Sequence, residues 1–338
     1  MIETFSFGTK NKDENIKLYL LSNKNGVRAK ITNYGAILTS LTLPLQNERR
    51  EIVLGFDCLE DYQSSEYLKN DPFFGGIMGR FANRINKGKV NIDGKTVQLP
   101  QNHGEHTLHG GIGFDKKIWD VAIIGESKLE LSLLSKDEDQ NFPGNCKVKV
   151  SYEINDENEL LIHYFATCDK TSPINLTSHS YFNFTGNQEN ILNHELQIEA
   201  DYILESDLDL IPTGRYQNVG NTSFDFRRRK KISTDIKAVE NYDDCFVLKT
   251  EGQNFKKVAE LSEETSNIKM EIFTDFPGMQ VYTGKYINVD EGRRFEPFSG
   301  IALETQDFPD APNQEKFPHG FIHPGDEYRH KTCYKFHF

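Results

Sequence analysis

The chain has five cysteines among its 338 residues, at positions 58, 146, 168, 245 and 333, and no two of them form a CxxC pair. An odd, widely spread set argues against a disulfide framework and against a zinc cluster, and reads as reduced, mostly structural thiols. No window approaches the roughly 18 apolar residues that a membrane-crossing helix needs. The opening MIETFSFGTKNKDENIK lacks the basic start and apolar stretch of a secretory signal. A cytoplasmic location and no membrane partner are therefore expected. Also missing are GxSxG, P-loop and HExxH patterns, and Gly111-Ile112-Gly113 lacks the third glycine and the helix of a dinucleotide fingerprint. No cofactor is implied. A formal net charge of −12 repels nucleic acid. The basic run Arg227 to Lys231 is the contrary feature, and in so acidic a chain it reads as a solvated edge or loop.

What the chain does contain is short alternating runs between turn residues. Hydrophobic residues at 37% and charged residues at 27% are globular values. Ile16/Leu18/Leu20, Val27/Ala29/Ile31 and Ile37/Thr39/Leu41/Leu43 each read as half-buried strands. Asp93-Gly94 between Val90/Ile92 and Val97/Leu99 predicts a tight hairpin, because Asp-Gly supplies the positive φ such a turn requires. Trp119/Val121/Ile123 with Leu129/Leu131/Leu133 predicts another. Val148/Val150/Tyr152/Ile154 with Leu160/Ile162/Tyr164 predicts a third, and Thr332/Tyr334/Phe336/Phe338 closes the series. Helical signal is sparse, the best lying at Cys58 to Lys69. With no repeat, low-complexity tract or linker, the expectation is an all-β fold: one large antiparallel β-sandwich domain over residues 1–338, with few short helices.

Chemistry-bearing residues interrupt this pattern in several places. In Gly300 to Gln306 the alternation sends Ile301, Leu303 and Thr305 one way and Ala302, Glu304 and Gln306 the other. That places a carboxylate in mid-strand, although Glu is a poor strand former. The Phe308-Pro309-Asp310-Ala311-Pro312 stretch then forces an irregular exit. Alone, this stretch favours a solvated Glu over a general base. Thr177 to Phe184 as a strand would put His179, Tyr181 and Asn183 on one face, where an imidazole can give or take a proton near neutral pH. Gly75 to Arg84 combines glycines with Asn83 and the forked donors of two arginines. His103, His106 and His109 recur every three residues, but the following glycines argue against a helix that would align them on a metal. His109, pinned before Gly110 and Gly111, is the best of the three for a hydrogen-bonding role. Asp243 and Gln280 are weak candidates by themselves.

Taken together, Asn33-Tyr-Gly-Ala36, Gly79-Arg-Phe-Ala-Asn-Arg-Ile85, Leu108-His-Gly-Gly111, His179-Ser-Tyr-Phe-Asn183, Leu303-Glu-Thr-Gln306 and Pro324-Gly-Asp-Glu-Tyr328 resemble the aldose 1-epimerase (galactose mutarotase) family over nearly the whole chain. The resemblance implies the family's β-supersandwich with an open sugar cleft, no metal, no cofactor, and a monomer or homodimer. It places Glu304 on the family's general base and His179 on its general acid. Asn83, Arg84, His109, Asp243 and Gln280 fall on positions that hold sugar hydroxyls. Ser178 stands where an Asn is frequent, and Asn241 and Asp244 flank Asp243 where Gly and His are usual.

The implied reaction interconverts the α and β anomers of aldohexoses such as D-galactose and D-glucose. A base removes the C1 hydroxyl proton while an acid protonates the ring oxygen, and closure reverses the roles. An ionised Glu304 facing a protonated His179 is expected, each favouring the other's charge if they lie close. The alternative is a non-catalytic sugar-binding module, which needs no acid and base pair. A glycoside hydrolase using Glu304 with Asp243 would satisfy the two-carboxylate requirement but leaves the histidine without a part. Action on a hexose 6-phosphate would need a phosphate clamp, for which no clear cluster is present.

Overall fold

The computed structural model describes residues 2–10, 14–250, 254–318 and 320–338. Among these, strands dominate and three short α-helices are present. The first fifty residues form a five-stranded antiparallel meander, Ile2–Lys10, Glu14–Ser22, Arg28–Thr32, Leu38–Pro44 and Arg49–Glu51. Its second strand does more than the alternation suggested. Ile16 and Leu18 enter one apolar cluster, Tyr19 and Leu21 enter another, and Leu20 is only half-buried. The sheet has core on both sides, so a one-face pattern does not describe it.

A nine-stranded antiparallel sheet forms the back of the molecule. Its order is Asp120–Ile124, Lys128–Ser135, Cys146–Ile154, Glu159–Cys168, Tyr328–His337, Ile268–Thr274, Lys256–Glu263, Glu195–Ile198 and Lys230–Lys231. The predicted hairpins between residues 120 and 168 are present, with Val121 opposite Leu131 and Tyr152 opposite Ile162. The C-terminal strand lies inside this sheet, paired to residues 159–166 on one side and 269–274 on the other. At the far edge the basic run ends in the short strand Lys230–Lys231, and three of its five charges are paired: Arg227 with Asp225, Arg229 with Glu260, Lys230 with Asp235.

Packed on that sheet is a six-stranded one, in the order Tyr181–Phe182, Ile301–Gln306, Gly278–Tyr282, Asp243–Val247, Tyr202–Ser206 and Pro212–Asn218. Ile301, Leu303, Met279 and Val281 join Val150, Ile162, Ile272 and Tyr334 in the main core. Burying each such side chain stabilises the fold by about 1.5–3 kcal/mol. Because side chains alternate, the residues between them point away from the core. Glu304 and Gln280, directly opposite one another in register, thus share the sheet's other face.

Local expectations hold where the signal is local. The Lys89–Ile92 and Lys95–Gln98 hairpin turns on Asp93 (φ 51°) and Gly94 (φ 77°), the positive-φ pair that the turn needs. The helical stretch near Cys58 is two pieces, Leu59–Tyr62 and Ser65–Asn70. Ser64 leaves helical geometry to accept the Tyr67 amide on its hydroxyl at 3.1 Å, which is why the helix restarts there. Residues 177–184 are not one strand. Thr177–Ser178 and Tyr181–Phe182 pair with different partners, and His179 and Ser180 form the break between them.

Candidate active site

The outer face of the six-stranded sheet is the floor of a cavity of about 600 Å³, and all seven residues singled out above lie on its wall. Three come from neighbouring strands of the floor. Glu304 sits at mid-strand and is only 2% exposed, so it is not the solvated carboxylate that its stretch alone would allow. Gln280 lies beside it and donates to Asp243 Oδ1 at 2.6 Å. The other four come from loops and short strands above the floor. His179 is fixed by its backbone, which donates to Gly76 O at 2.9 Å and accepts from Gly75 N at 3.0 Å. Its Nε2 stands 3.6 Å from Glu304 Oε1.

Asn83 and His109 hold one another. Both adopt positive φ (64° and 50°). The His109 amide donates to Asn83 O at 3.0 Å, and the Asn83 amide donates to His109 Nδ1 at 3.1 Å. An imidazole that accepts at Nδ1 carries its proton, when neutral, on Nε2. Burial, with the charges of His179 and Arg84 second, holds His109 well below the ordinary imidazole value, so it presents an N–H donor at Nε2. Arg84 lies on a two-residue strand paired to Thr107–Leu108 and is 8% exposed. His103 lines the rim, whereas His106 accepts the Lys87 amide on Nδ1 at 3.1 Å and is not part of the wall.

The charge states differ from the sequence expectation. Burial lowers His179 to about 4. Burial, reinforced by Asp243 and opposed by Arg84, raises Glu304 well above the usual carboxylate range. Both shifts favour neutral side chains, because desolvation disfavours whichever form is charged. Glu304 Oε2, His179 Nδ1 and Arg84 Nε are buried and have no hydrogen-bond partner within the protein, and each faces the question of what satisfies it.

His109, His179 and Glu304 also place possible metal-ligand atoms within 4.8 Å of one another. His109, however, spends Nδ1 on the Asn83 amide, so its cavity-facing nitrogen is the protonated one and is unsuited to a metal. Several wall residues escaped the sequence reading. Phe73, Tyr282 and Tyr286 line the cavity as aromatics among 38 Phe and Tyr (24 and 14), and nothing local marks them out. Tyr181 contributes its ring 5.0 Å from that of His179. Asn183, expected on the same face, instead donates to Glu189 O and Ser299 O at 2.8 and 2.7 Å as a structural clamp. Ser178, Asn241 and Asp244 are not wall residues. Asp244 accepts the Asp243 amide at 3.1 Å, and burial pushes its carboxyl up to about 7.

The site is thus an open polar cleft on an all-β fold, lined by hydrogen-bonding side chains, with a buried carboxyl facing a buried imidazole. The aldose 1-epimerase family profile matches residues 17–335. A galactose mutarotase from Bos taurus is 39% identical over 320 residues, covering 92% of this chain and 91% of that protein. The aldose 1-epimerase of Escherichia coli K12 is 37% identical over 333 residues, 95% of each. Among solved structures, an aldose epimerase homologue from C. elegans superposes with a TM-score of 0.87 at 31% identity, covering 95% of this chain and 98% of that one. Galactose 1-epimerase from Lactobacillus acidophilus gives 0.86 at 27% identity, with 100% and 98% covered. The chain belongs to the aldose 1-epimerase family and is an isomerase.

Proposed function

We propose that the protein interconverts the α and β anomers of aldohexoses, D-galactose and D-glucose foremost, with Glu304 and His179 as the proton-transfer pair. The observation that carries this reading is the 3.6 Å separation of His179 Nε2 and Glu304 Oε1 within the cavity. The hydroxyl oxygen and the ring oxygen of a pyranose are both bonded to C1. The groups that exchange protons with them must therefore be close neighbours.

In this scheme the ionised Glu304 takes the C1 hydroxyl proton and the protonated His179 gives one to the ring oxygen. The C1 to ring-oxygen bond breaks, leaving an aldehyde. Rotation about the C1 to C2 bond by roughly half a turn and reversal of both transfers yields the other anomer. The opened state has a neutral Glu304 and a neutral His179, the two forms that burial favours. The ionic and neutral arrangements of the pair hold the same number of protons, so ring opening only relocates them. Burial thus lowers the cost of the opened state, while sugar hydroxyls bonded to the pair stabilise the ionic forms from which opening starts. In the same scheme His109 Nε2–H, Arg84 and the Gln280–Asp243 pair hold hydroxyls and orient the ring, and orientation is a large part of such catalysis.

Fresh α-D-galactose and α-D-glucose in a polarimeter test this reading: relaxation to equilibrium is expected to speed up with protein added. Calorimetric binding of galactose with no acceleration would indicate a binding module. Release of the aryl group from aryl galactosides would indicate a hydrolase.

A further inference from the structure

Behind the two histidines, residues 71–75 include three positions in the left-handed region: Asp71 (φ 38°), Phe73 (φ 60°) and Gly75 (φ 66°). Only one is a glycine. An aromatic residue held there is strained, and such a conformation persists only where its surroundings over-determine it. The Phe73 ring lies half-buried on the cavity wall, 4.8 Å from the ring of His109 and 5.6 Å from that of His179. Its backbone is tied to the same histidine: Phe73 O accepts from Gly76 N at 3.2 Å, and Gly76 O accepts from His179 N at 2.9 Å.

The surroundings that fix this loop centre on Lys116. Its Nζ is 2.7 Å from Asp71 Oδ1, 2.9 Å from Asp115 Oδ2, and 5.5 Å from the centre of the Phe73 ring. A second aromatic, Tyr67, lies 5.6 Å from it. Asp115 is 3% exposed, so this is an ammonium drawn largely out of water, which is costly unless the geometry pairs it well. Lys116 does not line the cavity and has no place in the acid–base scheme. Its contacts run instead to the two left-handed residues that shape the wall.

We propose that Lys116 is a positioning residue for the proton transfer: through Asp71 and the face of Phe73 it clamps residues 71–75 so that the Phe73 ring orients both imidazoles and shields them from water. The proposal rests on the acid–base reading of His179 and Glu304. His179 is faced by His109, Tyr181, Phe73 and Glu304. His109 feels His179, Arg84, His103 and Lys116. Of all these, only Phe73 and Lys116 belong to the clamp, so disturbing it leaves the remaining charges in place. Loss of the Phe73 shield admits water to His179, whose proton affinity burial holds down, and moves it back toward the ordinary imidazole value.

The test compares Lys116→Met, Lys116→Arg and Phe73→Ala, the last leaving the ion cluster intact should the first not fold. Anomerisation kcat and KM are measured alongside an NMR titration of the imidazoles. Lys116→Met and Phe73→Ala are each expected to lower kcat by about 10–100-fold, the scale of a misplaced reacting group, with a smaller change in KM. Both are expected to raise the titration midpoint of His179, and Lys116→Arg to fall between them and the wild type. Folded variants with wild-type kcat and unmoved imidazole titrations overturn the proposal. If the wild type does not anomerise sugars yet the titrations move, the clamp stands and the reaction reading fails.

Discussion

Two hollows in the molecule gather histidines and charges, and they treat them in opposite ways. One, of about 450 Å³, opens around Lys128, Lys149, His163 and Lys331 on strands of the nine-stranded sheet. Two ion pairs tie part of its charge: Lys149 pairs with Glu130 at 2.9 Å, and His330 with Asp275 at 3.1 Å. Lys149 and Glu130 keep half and about a third of their side-chain exposure, so screening leaves such a pair worth roughly 0–1 kcal/mol. In the cavity over the six-stranded sheet, Glu304 and His179 are nearly out of water and each leaves an atom without a partner. Ion pairs that meet their own charge need no ligand to complete them. A hollow that withholds partners from buried groups is set for a ligand that supplies them.

The comparison breaks most sharply under double substitution. Glu304→Ala with His179→Ala is expected to lose about as much rate as either change alone, because neither group completes the transfer without the other. A fully multiplicative loss, measured as kcat for galactose, would mean that they act independently. A smaller effect is the shape of the pH profile. Protonating the neutral pair adds a proton to His179, held near 4, so the acid limb of kcat/KM is expected below the ordinary imidazole value. Deprotonating it removes one from Glu304, raised well above the usual carboxylate range, so the alkaline limb is expected far above 4.5. Activity between the limbs belongs to the pair with one transferable proton. A limb centred at 6.5 would contradict the assignment of His179. His109→Ala, which removes one hydrogen-bond donor, is expected to cost about 10-fold in kcat/KM, read mostly in KM. Lys149→Ala in the other hollow is expected to change stability by less than about 1 kcal/mol in urea unfolding, with the rate untouched.

How much of this could be read from the residues alone depended on how local the cause was. Asp93-Gly94 dictates its own turn, and the alternation around Glu304 settles which way the carboxylate points once Leu303 is known to face the core. The alternation of Ile16, Leu18 and Leu20 does not show that Tyr19 and Leu21 are buried as well, because the opposite face of that sheet packs into the main core, a contact no local pattern announces. The break at His179 follows from Gly75 and Gly76, a hundred residues away. The charge states differ from the expectation for the same reason: the sequence suggests that the pair lie close, but the depth of burial that overrides their mutual attraction is a property of the assembled sheet. Phe73 and Lys116 carry no local signature at all.

The most direct measurement is the mutarotation rate of α-D-galactose with Glu304→Ala and with His179→Ala beside the wild type, each variant shown folded by circular dichroism. The account predicts losses of roughly 10²–10⁴-fold for each. A folded variant that keeps near-normal kcat would contradict it by removing that residue from the proton transfer.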